Sequence, residues 1–81
     1  GAVAAGAASD PRVVVRYIPA KKHGTWVAVV NTGLAAVEAV TVALPAGDTV
    51  TDAATGKPVA APDNTLTLSL YPGELRSLRV R

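Results

Sequence analysis

From Thr65 to Leu70 the chain reads Thr-Leu-Thr-Leu-Ser-Leu, three leucines alternating with three hydroxyl residues. Successive side chains of an extended strand leave on opposite faces, so this period of two predicts a strand with one buried and one wet face. Leu66, Leu68 and Leu70 face in; Thr65, Thr67 and Ser69 face out. Residues 37–44 repeat the pattern, with Val40, Val42 and Leu44 on one face and Ala39, Thr41 and Ala43 on the other. Residues 12–18 are β-branched and stop at Pro19, which cannot continue a central ladder. Residues 25–32 are almost continuously apolar, which predicts a central strand covered on both faces. Residues 49–52 read as a short strand and residues 57–60 as a brief edge segment. Residues 74–80 close the chain; Leu75 is out of phase with Leu78 and Val80, which predicts a bulge near Arg76 or Ser77.

Turn signals separate these runs: residues 20–24, 31–33, 45–48, 53–56, 62–64 and 71–73, each with Gly, Pro, Asn or Asp. The Asn31-Thr32-Gly33 turn is expected to tolerate positive φ. Seven short strands at this spacing predict an all-β antiparallel sandwich, immunoglobulin-like or Greek-key. Only residues 34–38 carry a helical period, too short a stretch to stand alone. Residues 10–81 form the expected single domain. Residues 1–9 are small and apolar, without the basic and bulky regions of a signal peptide, and read as a flexible linker or tag remnant. A first residue of Gly in place of Met suggests a fragment or a processed chain.

Composition narrows the function classes. The 81 residues include no Cys, Met or Phe, so neither disulfides nor thiolate metal sites brace the fold. The absence of Cys fits any compartment; a secreted or periplasmic location is favoured. The formal charge is +2, with the basic residues spread along the chain. No dense basic stripe interleaved with aromatics occurs, which argues against nucleic acid as a partner. No apolar run approaches the roughly 20 residues of a membrane helix, so no membrane partner is expected.

The ionisable residues do not suggest catalysis. His23 is the one histidine and sits in a Lys-rich loop, where a solvated role is expected. A zinc site needs three or four ligands, and no cofactor motif of the GxGxxG or GxxxxGK[ST] kind is present. Of the carboxylates Asp10, Glu38, Asp48, Asp52, Asp63 and Glu74, all but Glu38 fall in or beside turns, where they cap backbone groups. The expectation is a chain with no catalytic, cofactor-binding or metal residues. Trp26, Tyr17 and Tyr71 are the candidate sugar-stacking residues, since aromatic faces suit the C–H patches of a pyranose. Trp26 and Tyr17 also fit a strand interior; Tyr71, before Pro72, fits an exposed strand end.

Several segments together resemble the small C-terminal β-sandwich of glycoside hydrolases that carry a (β/α)8 catalytic barrel. They are the strand Trp-Val-Ala-Val-Val-Asn at 26–31 and Leu-Pro-Ala-Gly at 44–47. Val50, Asp52, Gly56 and Val59 follow, with Thr-Gly-Lys-Pro at 55–58 as their turn, and the stretch 72–80 comes last. The resemblance covers roughly residues 12–81 and includes no catalytic motif, because that family's catalytic residues lie in the barrel. It implies a noncatalytic accessory module, with the barrel of the parent chain as its partner. The alternative is an independent carbohydrate-binding or adhesion module of a secreted or surface protein. Ala28, Ala39 and Ala43, expected to point outward, are small apolar groups suited to close packing on a neighbour.

Overall fold

A computed structural model, describing residues 4–5, 8–20 and 22–81, turns the apolar runs into antiparallel strands. They are β1 (Ala4–Ala5), β2 (Val13–Ala20), β3 (Gly24–Asn31), β4 (Val37–Ala43), β5 (Val50–Asp52), β6 (Thr65–Leu70) and β7 (Leu75–Val80). Residues 1–3, 6 and 7 of the stretch read as a linker lie outside the described residues, as does Lys21 of the 20–24 loop. Ala4 and Ala5 pair with Tyr17 and Arg16, and Ala8 bridges to Val42.

Apart from the two-residue β1, six strands form where the sequence predicts seven. The missing one is residues 57–60, which make only an isolated bridge from Thr51 to Pro58. Lys57 O accepts from Asp52 N–H and Val59 N–H donates to Val50 O, but Pro58 between them has no N–H to extend a ladder. Strand β2 runs through Pro19, two residues beyond the expected end. Pro19 pairs with Thr25 on one side, and its other side lies past the short β1, an edge position that tolerates proline.

The strands form two sheets, β1-β2-β3-β7-β5 and β4-β6. Both feed one apolar cluster. Val13, Val15, Val27, Val29, Leu78 and Val80 come from the first sheet; Val37, Val40, Val42, Leu66 and Leu70 come from the second, joined by Leu44. Valine dominates because its branched Cβ fits a pleated surface and loses little rotamer freedom there. Full burial of each such side chain contributes about 1.5–3 kcal/mol. The radius of gyration of 11.8 Å matches the roughly 12 Å of a compact chain of this length.

A bulge does occur, though in β4 and not in β7. Val37 faces Leu70 and Val40 faces Leu68, so Glu38 and Ala39 together oppose Ser69. The extra residue restores the phase between Val37 and Val40, and both are buried. Ala39 reaches φ 51°, a left-handed conformation uncommon outside glycine. Strand β7 is in unbroken register with β3 from Leu75 to Val80. Leu75 keeps its phase by facing outward, 61% exposed.

Among the described residues, two side chains on strands of the first sheet hydrogen-bond to the second. The Tyr17 hydroxyl donates to the Ala43 carbonyl at one end of β4. At the other end lies Asn31, the one polar residue among the described ones that is fully buried. Its Nδ2 is 2.9 Å from Ala35 O, 3.2 Å from Tyr71 O and 3.4 Å from Leu70 O. Its Oδ1 accepts from Gly33 N–H at 2.9 Å. The 31–33 turn therefore closes through a side chain and needs no positive φ at those residues.

Candidate functional site

Tyr17, Trp26 and Tyr71 do not converge. Tyr17 lies on the same face of β2 as the buried Val13 and Val15, and burial pushes its phenol pKa up. Trp26 lies on the opposite face of the same sheet, since Val27 and Val29 beside it in β3 are the buried ones. It is half-buried, so the fully covered position expected for this strand is not found. Tyr71 follows β6 and is 75% exposed.

The outward face of the five-stranded sheet can be read row by row from the register. Val14, Val30 and Leu75 form one row; Arg16, Ala28 and Ser77 the next; Ile18, Trp26, Arg79 and Thr51 the third. Most of this grid is apolar, and Ile18 (43% exposed) and Leu75 stand out from it. The Arg79 guanidinium carbon lies 5.1 Å from the Trp26 ring centroid, a cation–π distance. Arg79 Nε donates to His23 O at 2.7 Å, while its buried Nη2 has no partner among the described residues. The ion is thus held against the ring.

The other end of the molecule carries a cleft of about 370 Å3. Glu38, Ser69, Leu70, Tyr71, Glu74 and Arg76 are among its walls. The 71–74 turn sets its geometry: Glu74 Oε1 accepts from Tyr71 N–H at 2.9 Å and Oε2 from Arg76 Nη2 at 3.0 Å. These two bonds hold the Glu74 carboxyl below its ordinary pKa, the backbone N–H contributing most. Sequence reasoning singled out Tyr71 but not Glu38 or Arg76. The available signal was the spacing of Val37 and Val40, which breaks the alternation and marks Glu38 as lying in a bulge.

Asp52, Asp10 and Arg12 act locally. Asp52 Oδ1 caps the N–H groups of Ala54 and Thr55 at 2.8 and 3.1 Å. Asp10 and Arg12 form a two-point pair: Nη2 donates to Oδ2 at 2.7 Å and Nε to Oδ1 at 3.0 Å. That pairing pulls the Asp10 pKa down to about 2, with the Arg12 backbone N–H adding to it. Among the described residues no three of His, Cys, Asp and Glu are grouped to hold a metal ion, and no helix is long and apolar enough to cross a membrane.

These shifts give a pH dependence with a definite sign. Asp10 and Glu74 have folded pKa values below their ordinary ones. Each favours the fold fully above the unfolded pKa, and the contribution is lost as pH falls through the folded value. The thermal midpoint is expected to drop between about pH 4 and pH 2. In the double variant Asp10→Asn/Glu74→Gln that drop should be shallower, and an unchanged slope would assign it to other carboxylates. Tyr17 works in the opposite direction, because its raised pKa favours the neutral phenol and weakens the fold as pH climbs above about 10.

Comparison with family models, with curated proteins and with solved structures finds no match to this chain.

Proposed function

We propose that the chain is a noncatalytic β-sandwich module of a carbohydrate-active enzyme, seated on a (β/α)8 catalytic barrel of the same polypeptide through the outward face of its five-stranded sheet. One observation carries this reading. Strand β3 has the continuous apolar sequence of a strand covered on both sides, and within the described residues one side is buried while Trp26, Ala28 and Val30 on the other are only half-buried. Val14, Ile18, Trp26, Ala28, Val30 and Leu75 together make a multi-strand apolar face of the kind that marks an interaction surface. The sandwich arrangement, immunoglobulin-like or Greek-key, is supported as far as two sheets contribute to one core. The segments at 26–31, 44–47, 50–59 and 72–80 support the enzyme class by resemblance alone.

The module's role is mechanical: it covers apolar surface of the barrel and gains stability from it. The test is made in the full-length parent chain. Ile18→Lys with Leu75→Lys is expected to lower the melting midpoint there by several degrees, since about 1 kcal/mol moves a domain of this size by 4–8 °C. In the 81-residue chain alone both positions face solvent, and the same changes should leave the midpoint nearly unmoved. Equal midpoints for variant and parent would refute the docking. An independent binding or adhesion module, the second class, would show that result and would occur in genes with no barrel upstream.

A further inference from the structure

The β4 bulge places Glu38 and Ala39 opposite Ser69, with Ala39 at φ 51°. Non-glycine residues held in this region are uncommon and gather at binding sites. Bulges likewise re-aim side chains beside such sites. Here the bulge turns Glu38 outward while Val37 and Val40 remain buried, and Glu38 becomes a wall of the 370 Å3 cleft. That volume lies in the range of small-molecule sites. Tyr71, three-quarters exposed, is among the residues that line the same cleft.

We propose that this cleft binds a neutral saccharide, with a pyranose ring stacked on Tyr71 and its hydroxyls shared between Glu38, Ser69 and Arg76. The choice of ligand follows from the balance of groups. Two carboxylates to one guanidinium repel anions. Arg76 disfavours a cation. The walls mix acceptors on Glu38 with donors on Arg76, and add the Ser69 and Tyr71 hydroxyls that do both. A sugar hydroxyl also donates and accepts, and the C–H face of its ring suits an aromatic ring. Arg76 gives one Nη2 N–H to Glu74, so its guanidinium is held in place with other N–H groups still to offer. The cleft is separate from the docking face, and the proposal does not depend on the docking being right.

The test is an amide-resolved NMR titration of the 81-residue chain with cellotetraose, maltotetraose, xylotetraose and chitotetraose in turn. At least one is expected to give saturable shifts at residues 36–38, 69–71 and 74–76, with Kd on the order of 1 mM. Tyr71→Ala should weaken that binding at least about tenfold. Glu38→Gln should weaken it by about threefold to tenfold, as expected for one hydrogen bond. Ile18→Lys should leave it unchanged. Both cleft positions are exposed, so each variant's unperturbed spectrum elsewhere shows that it is folded. No saturable shift with any of the four sugars overturns the proposal. So does binding confined to the Trp26 face, or a tetralysine peptide that binds the cleft more tightly than every sugar.

Discussion

Asn31→Leu is expected to cost about 3–5 kcal/mol, enough to bring a domain of this size near the edge of folding. The estimate follows from what the side chain serves. Its Nδ2 reaches carbonyls of Ala35, Leu70 and Tyr71, and its Oδ1 takes the Gly33 N–H. Leucine fills a similar volume and satisfies none of them. Each buried group left unpaired costs about 1–3 kcal/mol, with water reaching the outer ones. Neighbouring backbone bonds, Asn31 N–H to Glu74 O and Gly73 N–H to Asn31 O, would loosen with the turns they join. Urea unfolding measures the loss directly. Asn31→Asp sharpens the test: it keeps the acceptor for Gly33 but points a buried carboxylate at three carbonyl oxygens. Its deficit should shrink as pH falls and the carboxyl takes up a proton. A leucine variant within about 1 kcal/mol of the parent would show that the carbonyls find water and that the fold does not depend on the Asn31 side chain.

Gly24→Ala has the next largest expected effect, about 2–4 kcal/mol, and for a different reason. Gly24 opens β3 at φ 79°, and an added Cβ would meet the carbonyl of Val80, the last residue of β7. The left-handed backbone alone costs an alanine about 1 kcal/mol. The clash adds more, because the obstacle is backbone within a sheet and not a flexible side chain. Gly56 supplies the control. It has φ 72° but open space around a Cβ, so Gly56→Ala should show the conformational cost alone. Melting midpoints of the two variants separate strain from collision; if they fall equally, the collision at Gly24 is relieved by a small shift of the chain end.

Most of the strand pattern was readable because alternation is a direct consequence of extended geometry. Leu66 and Leu70, and Val40 and Val42, stand where period two puts them. The bulge was harder, since Val37 and Leu75 both fall out of phase and only one of them is accommodated by an extra residue. The sheet explains which. Strand β7 keeps an unbroken ladder with β3 from Leu75 to Val80, so no residue is inserted to change its phase and Leu75 is left exposed. Strand β4 has β6 as its one neighbour in its sheet and bends at lower cost. Trp26 escaped because an apolar run does not say whether both covers belong to the same chain. Asn31 read as a turn residue, which it is, but its burial depends on β6 and on the 71–74 turn, both far away in sequence. The cleft was half visible: Tyr71 before Pro72 suggested exposure, while Glu38 and Arg76 come to line one cleft only after the chain has folded.

The contacts from Tyr17 to Ala43 and from Asn31 to Leu70 and Tyr71 have a consequence for shape. Apolar side chains attract without direction, so a core of valine and leucine alone would let one plate swivel on the other. A single rivet would remove sliding and leave a pivot. Two rivets, at opposite ends of β4 and β6, restrain the pivot as well, so directional bonds from oxygen and nitrogen atoms add to the packing of the valines in holding one plate against the other.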